Sequence, residues 1–275
     1  MKKRSRTIQD VCISFYRALL YKITEKLILN IKRFRFEGLY RCRDQSPLIS
    51  ITIPTYDRGQ LLVDRTLPSI YAQTYKNFEI IIVGDCCTPE TEKILKNIKN
   101  SKVRFVNLEK RTNYPEDPTL RWFISGVDPS NYALDLAKGK WICYFDDDDI
   151  MDEHSLENLL TFAQKGNYEF VAGLYEEEKE GVTLIKGMKS KNEPEFGGHS
   201  TWLYRSYLKF FRYNNHSWRK SYNCPQDIDL QLRMQSAGVR MESLNKIVSY
   251  IKPRPGLKTV GLAARLVSTE AEKLK

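Results

Sequence analysis

The sequence has 275 residues, with 44 Lys+Arg against 34 Asp+Glu, a formal net charge of +10. Hydrophobic residues make up 41% and charged residues 28%. That balance is globular rather than disordered, and a core of this size needs no disulfide or metal staple. The longest stretch without a charge is twelve residues, Gln45–Tyr56, well short of the ~20 apolar residues of a spanning helix, which argues against a transmembrane protein.

The charge is uneven along the chain. Residues 1–46 hold twelve Lys/Arg and four acids, so they carry +8 of the total and leave +2 for the remainder. Met1-Lys2-Lys3-Arg4 has the charge of a secretory leader. The next stretch is interrupted by Arg17, Lys22, Glu25 and Lys26, so no apolar leader core forms and the expected location is cytoplasmic. Tyr16, Leu20, Ile23, Leu27, Ile31 and Phe34 recur at steps of three and four, the spacing of one helix face. A basic amphipathic helix of this kind suits the inner face of an anionic membrane. Its stripe equally suits packing on the body or on a second subunit. No helix-turn-helix, zinc finger or aromatic stacking platform points to nucleic acid.

From Pro47 the pattern changes to short apolar runs separated by helical spacing. Strands are expected at 48–54, 78–83, 103–108, 141–145 and 170–175, with helices at 61–71, 88–98, 131–137 and 155–164. Such alternation predicts an α/β fold, an open, mostly parallel sheet flanked by helices. Further on, 179–191 reads as a polar hairpin or loop, and 202–211 as an aromatic-rich amphipathic segment whose aromatics belong in a core. A helix is expected at 226–237, ended by Gly238, then a strand at 247–251. The chain divides into three units: the extension 1–46, a main domain 47–251 in two halves (47–150 and 151–251), and a tail 252–275. The six cysteines form no C-x-x-C pair, and adjacent Cys86 and Cys87 suit neither a zinc cage nor a relaxed disulfide. No G-x-G-x-x-G follows the first strand and no P-loop is present, so a dehydrogenase and a P-loop NTPase both drop out.

In open α/β sheets ligands gather beyond the carboxyl ends of the strands. There the chain sets Thr55-Tyr56-Asp57-Arg58, Gly84-Asp85-Cys86-Cys87 and Asp146-Asp147-Asp148-Asp149. Four adjacent carboxylates repel unless a cation compensates. In extended backbone Asp146 and Asp148 face one side and Asp147 the other. One side then suits Mg²⁺ or Mn²⁺, both oxygen-seeking ions that bridge substrate phosphates. Helix capping by Asp149 and Asp152 accounts for only part of the cluster. Asp227 lies in the first turn of its helix, where the helix dipole favours the ionised form, as a general base requires; an N-terminal Asp is as common for structural reasons. Asp229 and Arg233, four apart, read as a surface ion pair. His199, in a glycine-rich turn, is more simply a loop residue than a ligand, and Glu176–Glu178 a solvated hairpin edge.

ITIPTYDR (51–58), IIIVGDCCT (80–88), NYALDLAKGKWICYFDDDDI (131–150) and QDIDL (226–230) together resemble the ordered motifs of family 2 glycosyltransferases with the GT-A fold. The resemblance spans about 47–251. It implies transfer of one sugar from a nucleotide-diphosphate sugar to a hydroxyl of a glycan or lipid-linked acceptor, with inversion. By position, Thr55, Tyr56, Arg58, Asp85, Asn131 and Asp147 would hold the donor. Asp146 and Asp148 would hold Mn²⁺ or Mg²⁺, and Asp227 would deprotonate the acceptor. Departures are Gly84 and Cys86-Cys87 in place of D-D-G-S, and Gln226 in place of the Glu of E-D. The Q-x-x-R-W motif of processive synthases is absent, which favours single transfer over polymerisation. Two other readings stand beside this one: a nucleotidyltransferase on a related sheet, and a GT-A binding module without turnover.

Overall fold

The computed structural model describes residues 7–41, 46–187, 196–217 and 225–273. The chain opens with α1 (Ile8–Phe36). Thr7 caps it reciprocally: its Oγ1 accepts from the Asp10 N–H (3.1 Å) while Asp10 Oδ2 accepts from the Thr7 N–H (3.2 Å). After α2 (Gly38–Arg41) comes the first α/β half: β1 (Ile49–Thr55), α3 (Gly59–Leu61), α4 (Leu67–Tyr71), β2 (Phe78–Gly84), α5 (Pro89–Lys96), β3 (Val103–Asn107), α6 (Pro118–Phe123), α7 (Val127–Leu136) and β4 (Trp141–Tyr144). Between α3 and α4 the helix widens into a π turn over Leu62–Thr66, because Pro68 has no N–H to donate to the preceding turn. The second half adds β5 (Ile150–Met151), α8 (Ser155–Lys165), the hairpin β6 (Phe170–Lys179) and β7 (Val182–Lys186), β8 (Trp202–Arg205), α9 (Gln226–Ala237), β9 (Met241–Ile251) and α10 (Gly261–Lys273).

One sheet runs β3-β2-β1-β4-β8-β6-β9-β5, with β7 paired to β6. The stretch β3-β2-β1-β4 is parallel, with Ile51 opposite both Ile80 and Cys143. Past β4 the pairing turns antiparallel through β8 and β6, then parallel again to β9. Strand order reverses at β1, so the gap between the ends of β1 and β4 is the topological switch point.

Helices cover both faces, and neighbouring residues of a strand serve opposite layers. Ile142, Tyr144, Phe170, Trp202 and Tyr204 join one apolar layer with Leu29 and Leu230. Trp141, Cys143, Val171 and Leu203 join the other with Ile51 and Leu159. This is why the strands read as continuous apolar runs.

Several sequence expectations change here. Segment 202–211 is a strand followed by a 3₁₀ turn (Ser206–Phe210). Its aromatics Trp202, Tyr204, Tyr207 and Phe211 lie in the core, as expected. The helix expected at 131–137 begins earlier, at Val127, because Pro129 is tolerated in a first turn. Only Lys179, the turn (180–181) and β7 of the hairpin lie within 179–191, its first strand reaching back to Phe170, and residues 188–191 fall outside the described part. Residues 1–46 stood apart on charge alone; the described part of α1 is packed into the body. Leu29 is fully buried, and Arg33 donates to Glu169, from Nε at 2.6 Å and also from Nη2. Asp229–Arg233 is not a surface pair: both are buried, with Arg233 Nε donating to Asp229 Oδ2 (2.9 Å) and Nη1 to Glu25 of α1. Composition carries no trace of that third partner, 208 residues away in sequence.

Candidate active site

The switch point gathers the polar ends of β1 and β4. Thr55 Oγ1 donates to Asp147 Oδ2 (2.6 Å), and Arg58 Nη1 donates to Asp147 Oδ1 (2.6 Å) and Asp148 Oδ2 (3.2 Å). Asp147 therefore faces the β1 side, but Asp148 shares the same guanidinium: β4 ends at Tyr144 and residues 147–148 form a turn, so the alternation expected of extended backbone does not hold here. Burial raises its pKa, and the Arg58 charge opposes that rise. Asp146 is bound to Ser200, whose Oγ donates to Oδ2 (3.1 Å). Burial, and then the charges of Asp148 and Asp147, push Asp146 up to about 7. Asp149 is raised well above its ordinary value, first by burial and then by Asp146. In return the aspartates raise the Arg58 pKa, Asp147 foremost. The cluster is an anionic knot with one guanidinium inside it.

Two cavities meet at this knot. The smaller, about 290 Å³, is lined by Thr55, Tyr56, Arg58, Asp85 and Asp147, and also by Arg111, Arg121, Arg254 and Arg265. Arg111 stacks over the Tyr56 ring at 3.5 Å. Five arginines and four aspartates line this cavity, and guanidiniums are the side chains that bind phosphate oxygens in pairs. The larger, about 540 Å³, is lined by Asp146, Asp148, Asp149, His199 and Asp227, with Trp122, Phe123 and residues 259–265 closing it. Asp227 is half-buried, and its Oδ1 accepts from the Ile228 N–H at 2.9 Å. A Cβ on Gly198 would meet its Oδ2 at 3.9 Å, an ordinary contact, and both residues line the larger cavity.

Thr55, Tyr56, Arg58, Asp85, Asp146, Asp147, Asp148 and Asp227 are thus brought to one pair of cavities. Asn131 is not: its amide holds the Tyr213 backbone from both ends (3.0 and 2.9 Å), which makes it scaffold. Asp85 reaches the smaller cavity with its carboxylate already engaged by the Thr112 N–H and Oγ1 (2.9 Å each) and the Tyr114 hydroxyl (2.6 Å). His199 sits among Tyr144, Trp202 and Tyr213, with ring centroids 4.2–5.3 Å apart. Burial lowers its pKa to about 4, so it is neutral. Glu177 of the expected solvated edge is paired with Lys186 at 2.5 Å and borders the larger cavity. The departures at the end of β2 also have physical causes. A Cβ on Gly84 would fall 2.5 Å from Asn107 Oδ1, the acceptor of the Cys87 N–H. Cys86 keeps left-handed backbone (φ 56), at a cost of roughly 1–2 kcal/mol against glycine.

The sequence reading missed Arg111, Arg121 and Arg265. The end-of-strand rule that found three rim clusters applies equally to β3, whose continuation carries Arg111, Thr112 and Tyr114. Arg265 comes from α10, where no strand-end rule reaches. Arg254 is held near the knot, its Nε 3.7 Å from Asp148 Oδ2. Arg65 fixes that segment by donating to the carbonyls of Lys252 (3.3 Å) and Pro253 (3.1 Å).

The residues present fit a hard divalent cation of the kind a nucleotide brings. Asp146 and Asp148 offer carboxylate oxygens at the junction of the cavities, and Asp149 Oδ2 is buried with no hydrogen-bond partner among the described residues. No group of three or more His, Cys, Asp or Glu is arranged to hold an ion among those residues. An ion here would therefore take the rest of its coordination from phosphate and water, the usual habit of Mg²⁺.

Solved structures share this architecture. Staphylococcus aureus TarS in complex with UDP-GlcNAc superposes with a TM-score of 0.60 at 19% identity, over 76% of this chain and 60% of that one. The mannosyltransferase PcManGT from Pyrobaculum calidifontis, in complex with GDP-Man and Mn²⁺, gives 0.57 at 15% identity, over 84% and 70%. At such identities the likeness establishes the fold, the GT-A class of α/β sheet. The model of "Glycosyl transferase family 2" matches residues 50–115 and 130–231, more than half of the chain, and the protein belongs to that family. Among curated relatives, the poly(ribitol-phosphate) beta-N-acetylglucosaminyltransferase TarP of S. aureus is 28% identical over 171 residues, 60% of this chain and 48% of that enzyme. The Escherichia coli UDP-Glc:alpha-D-GlcNAc-diphosphoundecaprenol beta-1,3-glucosyltransferase WfaP is 27% identical over 213 residues, 76% and 78%. The chain thus spans about half the length of TarP. The insert 116–129 and everything after 231, including α6 and α10 at the mouth of the larger cavity, lie outside the family match.

Proposed function

We propose that this protein is a metal-dependent inverting glycosyltransferase. It would move a single sugar from a nucleotide-diphosphate sugar to a hydroxyl of a glycan or lipid-linked acceptor. The observation that carries the reading is the placement of Asp227 on the same cavity wall system as Asp146 and Asp148, beside the arginine-lined cavity. The smaller cavity takes the nucleoside diphosphate against Tyr56, Arg58 and the other arginines. The acceptor enters the larger one, with Asp227 as the base that takes its proton while Trp122 and Phe123 shelter the reacting centre from water. A cation at Asp146 and Asp148 supplies charge stabilisation for the departing diphosphate. The names of TarP and WfaP, one acting on a phosphate-linked polymer and the other on a lipid-linked sugar, support an acceptor of either class. The charge of residues 1–46 and the lipid-linked acceptor in the name of WfaP support a cytoplasmic location at an anionic membrane surface.

The deciding experiment incubates the protein with a panel of nucleotide sugars and Mn²⁺ or Mg²⁺. Release of nucleoside diphosphate, abolished by chelation and by Asp148→Ala, is the expected result. Release of pyrophosphate would instead identify a nucleotidyltransferase, and no turnover with any donor would leave a binding module. Arg254→Ala should weaken nucleoside-diphosphate affinity by about tenfold, since a charge-assisted hydrogen bond contributes roughly 1.5–3 kcal/mol. Calorimetric titration checks this, with an unchanged melting temperature.

A further inference from the structure

α1 is held to the body by one side only. Glu25 and Leu29 are buried, and Arg17 reaches Asn214. The opposite side is apolar and uncovered: eleven of the nineteen large hydrophobic side chains exposed among the described residues lie on this one helix. Ile23, Leu27, Ile31 and Phe34 are 55%, 59%, 65% and 95% exposed. With Leu19 and Tyr16 they occupy an arc of roughly 120° at 3.6 residues per turn. Lys22 and Lys26 border that arc on one edge, and Arg35 on the other. The only two acids of the helix, Asp10 and Glu25, are both buried, so its outer surface presents cations and hydrocarbon and no carboxylate.

We infer that this face of α1 docks flat on an anionic lipid surface. Charge decides the occupant. A second copy laid against the stripe would set the same cationic edges side by side, with no exposed acid on either helix to pair them. Anionic headgroups complement those edges while the acyl boundary takes the hydrocarbon. No helix among the described residues is long and apolar enough to cross a membrane, so the helix lies in the interface plane, roughly 43 Å long at 1.5 Å per residue. The inference deepens the membrane placement proposed above and rests on that reading only for the location. The anchor has a consequence for reach. Arg233, which binds Glu25 of α1, is on α9, the helix whose first turn carries Asp227. One rigid pair of helices thereby fixes the height of the candidate base above the lipid.

The test is flotation of the full chain with vesicles rich in phosphatidylglycerol, against vesicles of phosphatidylcholine alone. Binding to the anionic vesicles only is expected, falling by about tenfold or more in the double variant Ile23→Glu/Leu27→Glu. Lys22→Gln/Lys26→Gln should weaken it and reduce its salt dependence. These side chains are exposed, so melting temperature, nucleotide affinity and turnover on a water-soluble acceptor stay at parental values. Flotation needs no turnover, which separates failure of this inference from failure of the enzymatic reading. Equal flotation of the Ile23→Glu/Leu27→Glu variant overturns it. So does a parental dimer that the variant dissociates without any lipid binding.

Discussion

The Asp227→Asn variant turns over about 10²–10⁴-fold more slowly than the parent, the range that one positioned acid–base group contributes, while its affinity for the nucleotide sugar stays unchanged. Asparagine keeps the size of the side chain and its Oδ1 acceptor for the Ile228 N–H, so α9 starts as before. What it loses is the capacity to take a proton at the second oxygen of a side chain that lines the larger cavity. Donor binding survives because Asp227 does not line the arginine-rich cavity. Steady-state rates with saturating acceptor, paired with calorimetric titration of the nucleotide sugar, check both halves. Retention of most activity would remove the base assignment and leave the fold and donor site standing. Glu in place of Asp227 should recover only part of the rate, because one added methylene moves the carboxylate off the distance that α9 sets.

The catalytic rim was legible in the sequence and its surroundings were not, because the two are built differently. Thr55, Arg58 and the four aspartates sit within a few residues of the ends of β1 and β4, so locating those strand ends places them at the rim without knowledge of the rest. Asp227 is positioned by one helix start, equally local. Asn131 looked the same in sequence, at the head of a motif, yet its amide is spent on the Tyr213 backbone; a polar side chain does not announce whether its partner is a ligand or the chain itself. Arg254 follows the end of β9 and is within reach of the same strand-end reading, whereas Arg265 reaches the knot from α10, which no strand-end pattern encodes. The same holds for α1. Its apolar stripe was legible, but which side of the helix would be buried was decided by Glu25, a residue whose charge argued for solvent. The body is fastened to the side that carries Glu25, Leu29 and Arg33, away from the exposed stripe.

The second large effect is on stability. Glu25→Ala should destabilise the whole domain by about 3 kcal/mol, the lower end for breaking a buried ion pair by removing one partner. Arg233 is only 6% exposed and binds Glu25, Asp229 and the Arg212 carbonyl. Without Glu25 its guanidinium stays buried, with Asp229 still compensating part of the charge. In a chain of this size such a loss lowers the melting temperature by roughly 6–12 °C at about 2–4 °C per kcal/mol. Glu25→Gln, which keeps an acceptor but no charge, should fall between parent and Ala. The triple replacement Glu25→Leu/Asp229→Leu/Arg233→Met removes every charge together and should regain most of the loss, as buried ionic triads replaced by apolar groups do. Thermal unfolding followed by circular dichroism distinguishes these cases. A Glu25→Ala variant melting with the parent would show that α1 merely rests on the body. The expected loss instead means that deleting residues 1–46 takes Glu25 from buried Arg233 and Arg33 from buried Glu169, so point variants on the outer stripe, not truncation, are the sound way to ask what α1 touches.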